Sequence, residues 1–159
     1  MTDKAPRMNE RESRAWLGLI NLVQLLPHTL DAQLQRDSDM THFEFTVLSN
    51  LYTAPEATLR MTELAVRTAA TLPRLSHVST KLEKRGLVER VPCAEDRRAT
   101  NVRLTSTGRR HFIHAIPEHI ELARKLVVDA LSEDELDALA HIAEIVGGRL
   151  SEHRAGEMR

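Results

Sequence analysis

Apolar positions recur along this chain in two periods, and the point where the period changes divides it. Between 11 and 36, Trp16, Leu19, Val23, Leu26, Leu30 and Leu34 fall at spacings of three and four, as on one face of an amphipathic helix. Pro27 lies inside that run and is expected to kink it. Asp37, Ser38 and Asp39 break the pattern, and Thr41 can then cap a second helix whose Val47, Leu48 and Leu51 face inward. Ala54, Pro55 and Glu56 read as a turn. Thr62 is an N-cap candidate for a short helix over 63–67. The small residues Thr68, Ala69, Ala70 and Thr71 lead into a further helix over 72–85, with Pro73 in its first turn and Gly86 just past its end. Two short helices joined in this way make a helix-turn-helix candidate.

After Gly86 the period shortens to two. Residues 87–91 and 101–105 read as strands, and the polar run 92–100 between them makes a two-stranded hairpin with a charged tip. Such a hairpin is marginal alone and must rest on the neighbouring helices. From Ser106 the pattern is helical again, with Pro117 expected to bend or reset the helix. Ser132 followed by Glu135 forms a capping box for a last helix. Along it Leu136, Leu139, Ala143, Val146 and Leu150 step alternately by three and four, a heptad-like seam. With long helices at both ends of the chain, the seam points to a bundle shared in a homodimer. The expected fold is mainly α with a small β-hairpin, flanked by flexible polar termini over 1–10 and 151–159.

Composition narrows the function. Of 159 residues, 42% are hydrophobic and 28% charged, values of an ordinary globular domain. Aromatics are only 3%, against a module that stacks single-stranded bases. The single cysteine, Cys93, excludes an internal disulfide and multi-cysteine metal motifs. No glycine spacing matches a phosphate-binding loop, and no serine elbow, HExxH or paired-carboxylate spacing suggests an enzyme. No cofactor is expected. No apolar run resembles a signal peptide or a membrane span, so a cytoplasmic protein without a membrane partner is expected.

The net charge of −1 conceals a segregation: residues 1–70 carry −2, residues 71–110 carry +6 and residues 111–159 carry −5. The basic block coincides with the second helix of the helix-turn-helix candidate and the hairpin. On a helical wheel of 72–85, Leu72, Leu75, Val78, Ser79 and Leu82 share a docking side. The opposite arc holds Pro73, Arg74, Ser76, His77, Thr80, Lys81 and Lys84, with no carboxylate; Glu83 lies at its edge. An α-helix fits the major groove of DNA, where Arg and Lys pair with guanine and Ser or Thr address several base edges. Arg97 and Arg98 at the hairpin tip suit a narrow, electronegative minor groove, with Asp96 placed to orient a guanidinium. The partner that fits this pattern is double-stranded DNA.

Three linked motifs then carry a resemblance. Residues 82–90 (LEKRGLVER), 96–99 (DRRA) and 102–108 (VRLTSTG) resemble, in order and spacing, the LExxGLVxR, DxRA and VxLTxxG pattern of the MarR (multiple antibiotic resistance regulator) family. The resemblance covers about residues 11–150. It implies a homodimeric winged helix-turn-helix transcription factor, with a winged domain over 41–108 and intertwined dimerisation helices over 11–36 and 109–150. In that family most members repress, gripping a pseudo-palindromic operator, and many release it when a small, often phenolic, anion enters a cleft between the two regions. Carried over, Arg74, Ser76, His77, Thr80 and Lys81 match recognition-helix positions, Arg97 and Arg98 the wing tip, and Thr62 a phosphate-contacting cap. By the same analogy Trp16, His28 and Phe45 line the effector cleft.

Two departures bear on how such a regulator would sense its signal. Pro117 interrupts a helix that the family runs unbroken. The peroxide-sensing branch uses a cysteine in the first helix, absent here, whereas Cys93 stands at the base of the wing, where oxidation would disturb DNA contact. A zinc-sensing branch uses histidines from the regions of His42, His111 and His114, which makes a zinc- or redox-responsive regulator the alternative to an organic effector; the familiar i,i+4 histidine pair is absent.

Overall fold

The computed structural model describes residues 7–93, 96 and 98–157. They fall into two units, one reaching to His119 and one starting at Ile120.

In the first unit, α1 (Glu10–Ser38) begins at a capping box: the Asn9 amide donates to Glu12 Oε2 at 2.7 Å, and the Glu12 amide donates back to Asn9 Oδ1 at 2.9 Å. Leu30, Gln33 and Leu34 are buried near its C-terminal end, while Trp16, Leu17, Leu22, Val23 and Leu25 are exposed. A second capping box, Thr41 with Glu44, opens α2 (His42–Thr53), whose Val47, Leu48 and Leu51 are fully buried as expected. A single 3₁₀ turn, Pro55–Ala57, leads to β1 (Thr58–Arg60) and directly into α3 (Met61–Arg67).

After Ala69, held at φ 52°, Thr71 caps α4 (Leu72–Lys84) by accepting from the Arg74 amide at 3.4 Å. The helix closes in a Schellman turn: Gly86, at φ 70°, donates to Glu83 O, and Leu87 donates to Leu82 O, both at 2.9 Å. Strands β2 (Val88–Pro92) and β3 (Thr100–Leu104) form the wing, and α5 (Ser106–Leu126) follows. Leu64, Leu75, Leu82, Val102 and Phe112 complete one core with the buried face of α2.

Four expectations change in this unit. The sheet has three antiparallel strands in the order β1-β3-β2, not two; β1 pairs Leu59 with Val102 and so docks the wing on the helices. Three residues are too few to display an alternation in sequence. Thr62 is not the cap of α3: the helix starts two residues earlier than expected, Arg60 takes the cap position without its side chain capping the first turn, and Thr62 lies exposed in that turn. Leu72 does not dock with Leu75; it is 46% exposed at the start of α4. Pro117 does not reset α5, which is helical on both sides of it.

The second unit contains the end of α5, a 3₁₀ turn at Val128–Ala130 and α6 (Glu133–Glu157). Ser132 and Glu135 make the expected capping box, the Ser132 amide donating to Glu135 Oε2 at 2.8 Å and the Glu135 amide to Ser132 Oγ at 3.3 Å. The helix takes in 151–157, part of the stretch expected to be a flexible tail. Leu136 and Val146 are half-buried, and Leu139, Ala143 and Leu150, three of the five seam positions, are exposed. No helix among the described residues is long and apolar enough to cross a membrane.

Candidate nucleic-acid interface

Leu75, Ser79 and Leu82 of α4 are buried, so the opposite line of the helix, carrying Pro73, His77 and Lys84, faces outward. His77 and Lys84 have no polar side-chain partner among the described residues. The flanks of the same arc are occupied. On one, Lys81 Nζ lies 3.1 Å from Glu44 Oε1, and Arg85 reaches Glu44 at 3.6 Å and Asp39 at 3.7 Å. Glu44 is only 2% exposed, and a carboxylate so enclosed requires paired cations. Lys81, expected to meet DNA, is therefore engaged in fixing α4 to α2. Arg74, on the same flank, rests its guanidinium carbon 4.1 Å above the centre of the Phe43 ring.

The other flank meets the wing through Arg90, the last residue of the LExxGLVxR stretch, to which the sequence pattern gave no role. Its guanidinium donates to Glu83 Oε2 at 2.7 Å, to the Ser76 carbonyl at 2.8 Å and to Thr80 Oγ1 at 2.9 Å, while its amide donates to Glu83 Oε1 at 3.0 Å. Ser76 and Thr80 are thus tied to β2, and Glu83, the acid at the edge of the basic face, is the anchor for that tie. Arg90 sets the wing against α4.

At the wing tip, the contacts that Asp96 makes with described residues are to backbone amides. Its carboxylate accepts from the Arg98 amide at 3.0 Å and its carbonyl from the Ala99 amide at 2.9 Å, which makes a tight turn. Arg98 is exposed on that turn. Arg97 lies outside the described residues. Cys93 is buried at the wing base, with Arg60 Nη2 donating toward its Sγ at 3.4 Å.

Between α1 and the α2 and α4 helices is a cavity of about 470 Å³, lined by Pro27, His28, Asp31, His42, Phe43, Thr46, Thr68 and Arg74. Of the residues expected around an effector, His28 is in its wall. Trp16 lies 48% exposed on α1, and Phe45 packs instead with Phe112 and His119, ring centres at 5.0 and 4.3 Å. The aromatic face offered to the cavity is that of Phe43, two residues from Phe45; helical periodicity alone does not tell these two half-buried positions apart. The histidines considered for zinc separate: His111 Nε2 bonds the Ser38 carbonyl at 3.0 Å, His114 is exposed, and His42 stacks on His119 at 6.0 Å. Among the described residues no three His, Cys, Asp or Glu side chains converge.

Burial pushes both His42 and His119 below the ordinary histidine value; the neighbouring His42 adds to the fall at His119, and Asp31 offsets part of it at His42. Each ring therefore binds a proton more weakly in the folded chain than in the unfolded one. Their contribution is complete above the unfolded pKa of about 6.5 and is lost as pH falls from there through the lowered values. Thermal melts should accordingly give a lower midpoint near pH 5 than near pH 7.5, with a smaller gap in His119→Gln.

Comparison with known proteins adds three findings. The family model described as MarR family matches residues 40–100, the span from the end of α1 to the start of β3. The HTH-type transcriptional regulator PrsX of Escherichia coli is 29% identical over 114 residues, which are 72% of this chain and 66% of that relative. Among solved structures, Sco3205, a MarR family transcriptional regulator from Streptomyces coelicolor in complex with DNA, is 36% identical, with 92% of this chain and 91% of that chain covered and a TM-score of 0.87. AbsC, a MarR family regulator from the same organism, is 29% identical over 92% of this chain and 98% of its own, with a TM-score of 0.86.

Proposed function

The chain belongs to the MarR family of transcriptional regulators, and on that premise we propose that it is a sequence-specific double-stranded-DNA-binding repressor, released from its operator by a small ligand. The observation that carries DNA recognition is the outward line of α4. It presents His77 and Lys84 without a polar partner among the described residues, with Arg74 beside them and Arg98 on the adjoining wing. These are donors and cations suited to guanine edges and phosphates. The DNA complex of Sco3205, at 36% identity, supports the same use of this fold. Ser76, Thr80 and Lys81 support the surface from behind, through Arg90 and Glu44.

The protein works as a homodimer on a pseudo-palindromic operator. The uncovered apolar side chains of α1, with Trp16 and Leu22, and the seam of Leu136, Leu139, Ala143, Val146 and Leu150 on α6 supply the surface that a second copy would cover. The winged region corresponds to 41–108, and the dimer-forming helices to 11–36 and 109–150. The cavity of about 470 Å³ beneath Phe43 and Arg74 is the candidate seat of the effector; it falls in the range of small-molecule sites and offers an aromatic wall with a few polar groups. A DNA-bound role places the protein in the cytoplasm.

Selection of bound sequences from a random pool of duplex DNA tests the proposal. Recovery of an inverted repeat with half-sites about 10 base pairs apart supports a dimeric reader. Recovery of no enriched sequence would refute sequence-specific recognition.

A further inference from the structure

At about 100° per residue, Pro73, His77 and Lys84 lie within a narrow sector of α4, and Arg74 stands about a quarter-turn away from its middle. Its guanidinium is directed to α2, 4.1 Å above Phe43, and not along the outward line. Phe43 is partly buried against the core, so its ring is a fixed platform. Arg74 cannot lie flat on that ring and also make a bidentate contact with a guanine edge in front of Pro73 and His77; one position excludes the other. An arginine stacked on an aromatic ring is held by cation–π attraction, and leaving the ring forfeits it.

We propose that Arg74 is a two-position residue, parked on Phe43 in the DNA-free chain and swung onto the operator in the complex, with Phe43 as the positioning residue that holds it back. The proposal deepens the repressor function above and rests on Arg74 contacting DNA. It also joins the cavity to the operator without any movement of a domain. Arg74 and Phe43 are both wall residues, so the cavity and the operator draw on one guanidinium. Closing the stack keeps the arginine in the wall, and opening it removes part of that wall.

A double-mutant cycle on the selected operator tests this, using Phe43→Leu, Arg74→Met and the combination. Arg74→Met should weaken binding. Phe43→Leu should tighten it by about two- to fivefold, the worth of an exposed cation–π contact, and this gain should vanish when Arg74→Met is also present. Phe43→Tyr, which keeps the ring, should bind like the unsubstituted chain. Circular dichroism melts check that the variants fold. NMR supplies a readout independent of affinity: the Arg74 Nε proton should be shifted upfield by the Phe43 ring in the free chain and move downfield when operator is added. Weaker binding by Phe43→Leu, an equal gain in both backgrounds, or an Nε proton that stays upfield in the complex would overturn the parked state. Unchanged binding by Arg74→Met would remove Arg74 from the DNA contacts and the parked state with it.

Discussion

Gly108→Ala is expected to lower the stability of the fold by about 3 kcal/mol or more, at the severe end of overpacking changes. A Cβ at this position would lie 1.9 Å from the Leu87 carbonyl oxygen and 2.8 Å from Leu104 Cδ1. The first of these atoms is backbone, held from two directions. Leu87 O accepts from the Thr105 amide and the Thr105 hydroxyl, both at 3.1 Å, and that hydroxyl also donates to Gly86 O at 2.6 Å. Thr105 Oγ1 in turn accepts from the Gly108 amide at 2.9 Å, which caps α5. One small knot therefore joins the end of α4, the end of β3 and the start of α5. Making room for a methyl group requires the Leu87 carbonyl to retreat, breaking bonds that set the wing against α4. A thermal melt followed by circular dichroism should show a midpoint lower by roughly 6–12 °C for a chain of this size. Gly18→Ala is the contrast: nothing lies within 4 Å of the added carbon, and a helix interior favours alanine, so its midpoint should be unchanged or slightly higher.

The LTxxG motif was legible in the sequence as a family mark, and its physical reason is this close approach. Other features were legible for local reasons. The capping boxes at Thr41 and Ser132, the Gly86 turn and the three-and-four spacing of the long helices are written within a few residues of one another, which is the range over which a sequence pattern speaks directly. The hairpin was legible too, but not its third strand: β1 is three residues long and owes its strand form to pairing with β3, some forty positions later.

The outward surface of α4 proposed to meet DNA was legible as a side of a helix and no finer. A wheel separates buried from outward positions, and it grouped Arg74, Ser76, His77, Thr80 and Lys81 correctly on the side away from Leu75 and Leu82. It cannot tell an outward crest from a flank that meets another element. Lys81 meets Glu44 of α2, and Ser76 and Thr80 meet Arg90 of β2; those partners are 37, 14 and 10 residues away in sequence. Each bond depends on tertiary packing. The same limit explains Leu72, whose place on the wheel gave no sign that α4 extends one residue past its docking surface. Glu44 went unread for a related reason: a glutamate three residues after Thr41 is fully explained as a capping residue, and its carboxylate meets Lys81 at the second oxygen and Arg85 at the capping oxygen only once α4 lies across it.

The basic block of 71–110 consequently divides into cations with different roles. Lys81, Arg85, Arg90 and Arg103 are paired with Glu44, Asp39, Glu83 and Glu89. Lys84 and Arg98 are exposed without an ion-pair partner among the described residues, so they are the charges most free to meet phosphates. Neutralising a paired cation leaves a carboxylate unpaired and disturbs the fold; neutralising a free one should act on DNA alone.

The most direct measurement is the salt dependence of operator affinity for Lys84→Met with Arg98→Met, beside Arg149→Met on the acidic α6 as control. Each phosphate contact contributes about 0.9 to the slope of log affinity against log salt concentration, so the paired substitution should flatten it by about 1.8 for each chain bound. At low salt the affinity itself should drop by at least tenfold, with an unchanged melting midpoint, while Arg149→Met should match the unsubstituted chain. A slope that stays the same for the pair, or that flattens equally for Arg149→Met, would contradict a DNA interface built on α4 and the wing.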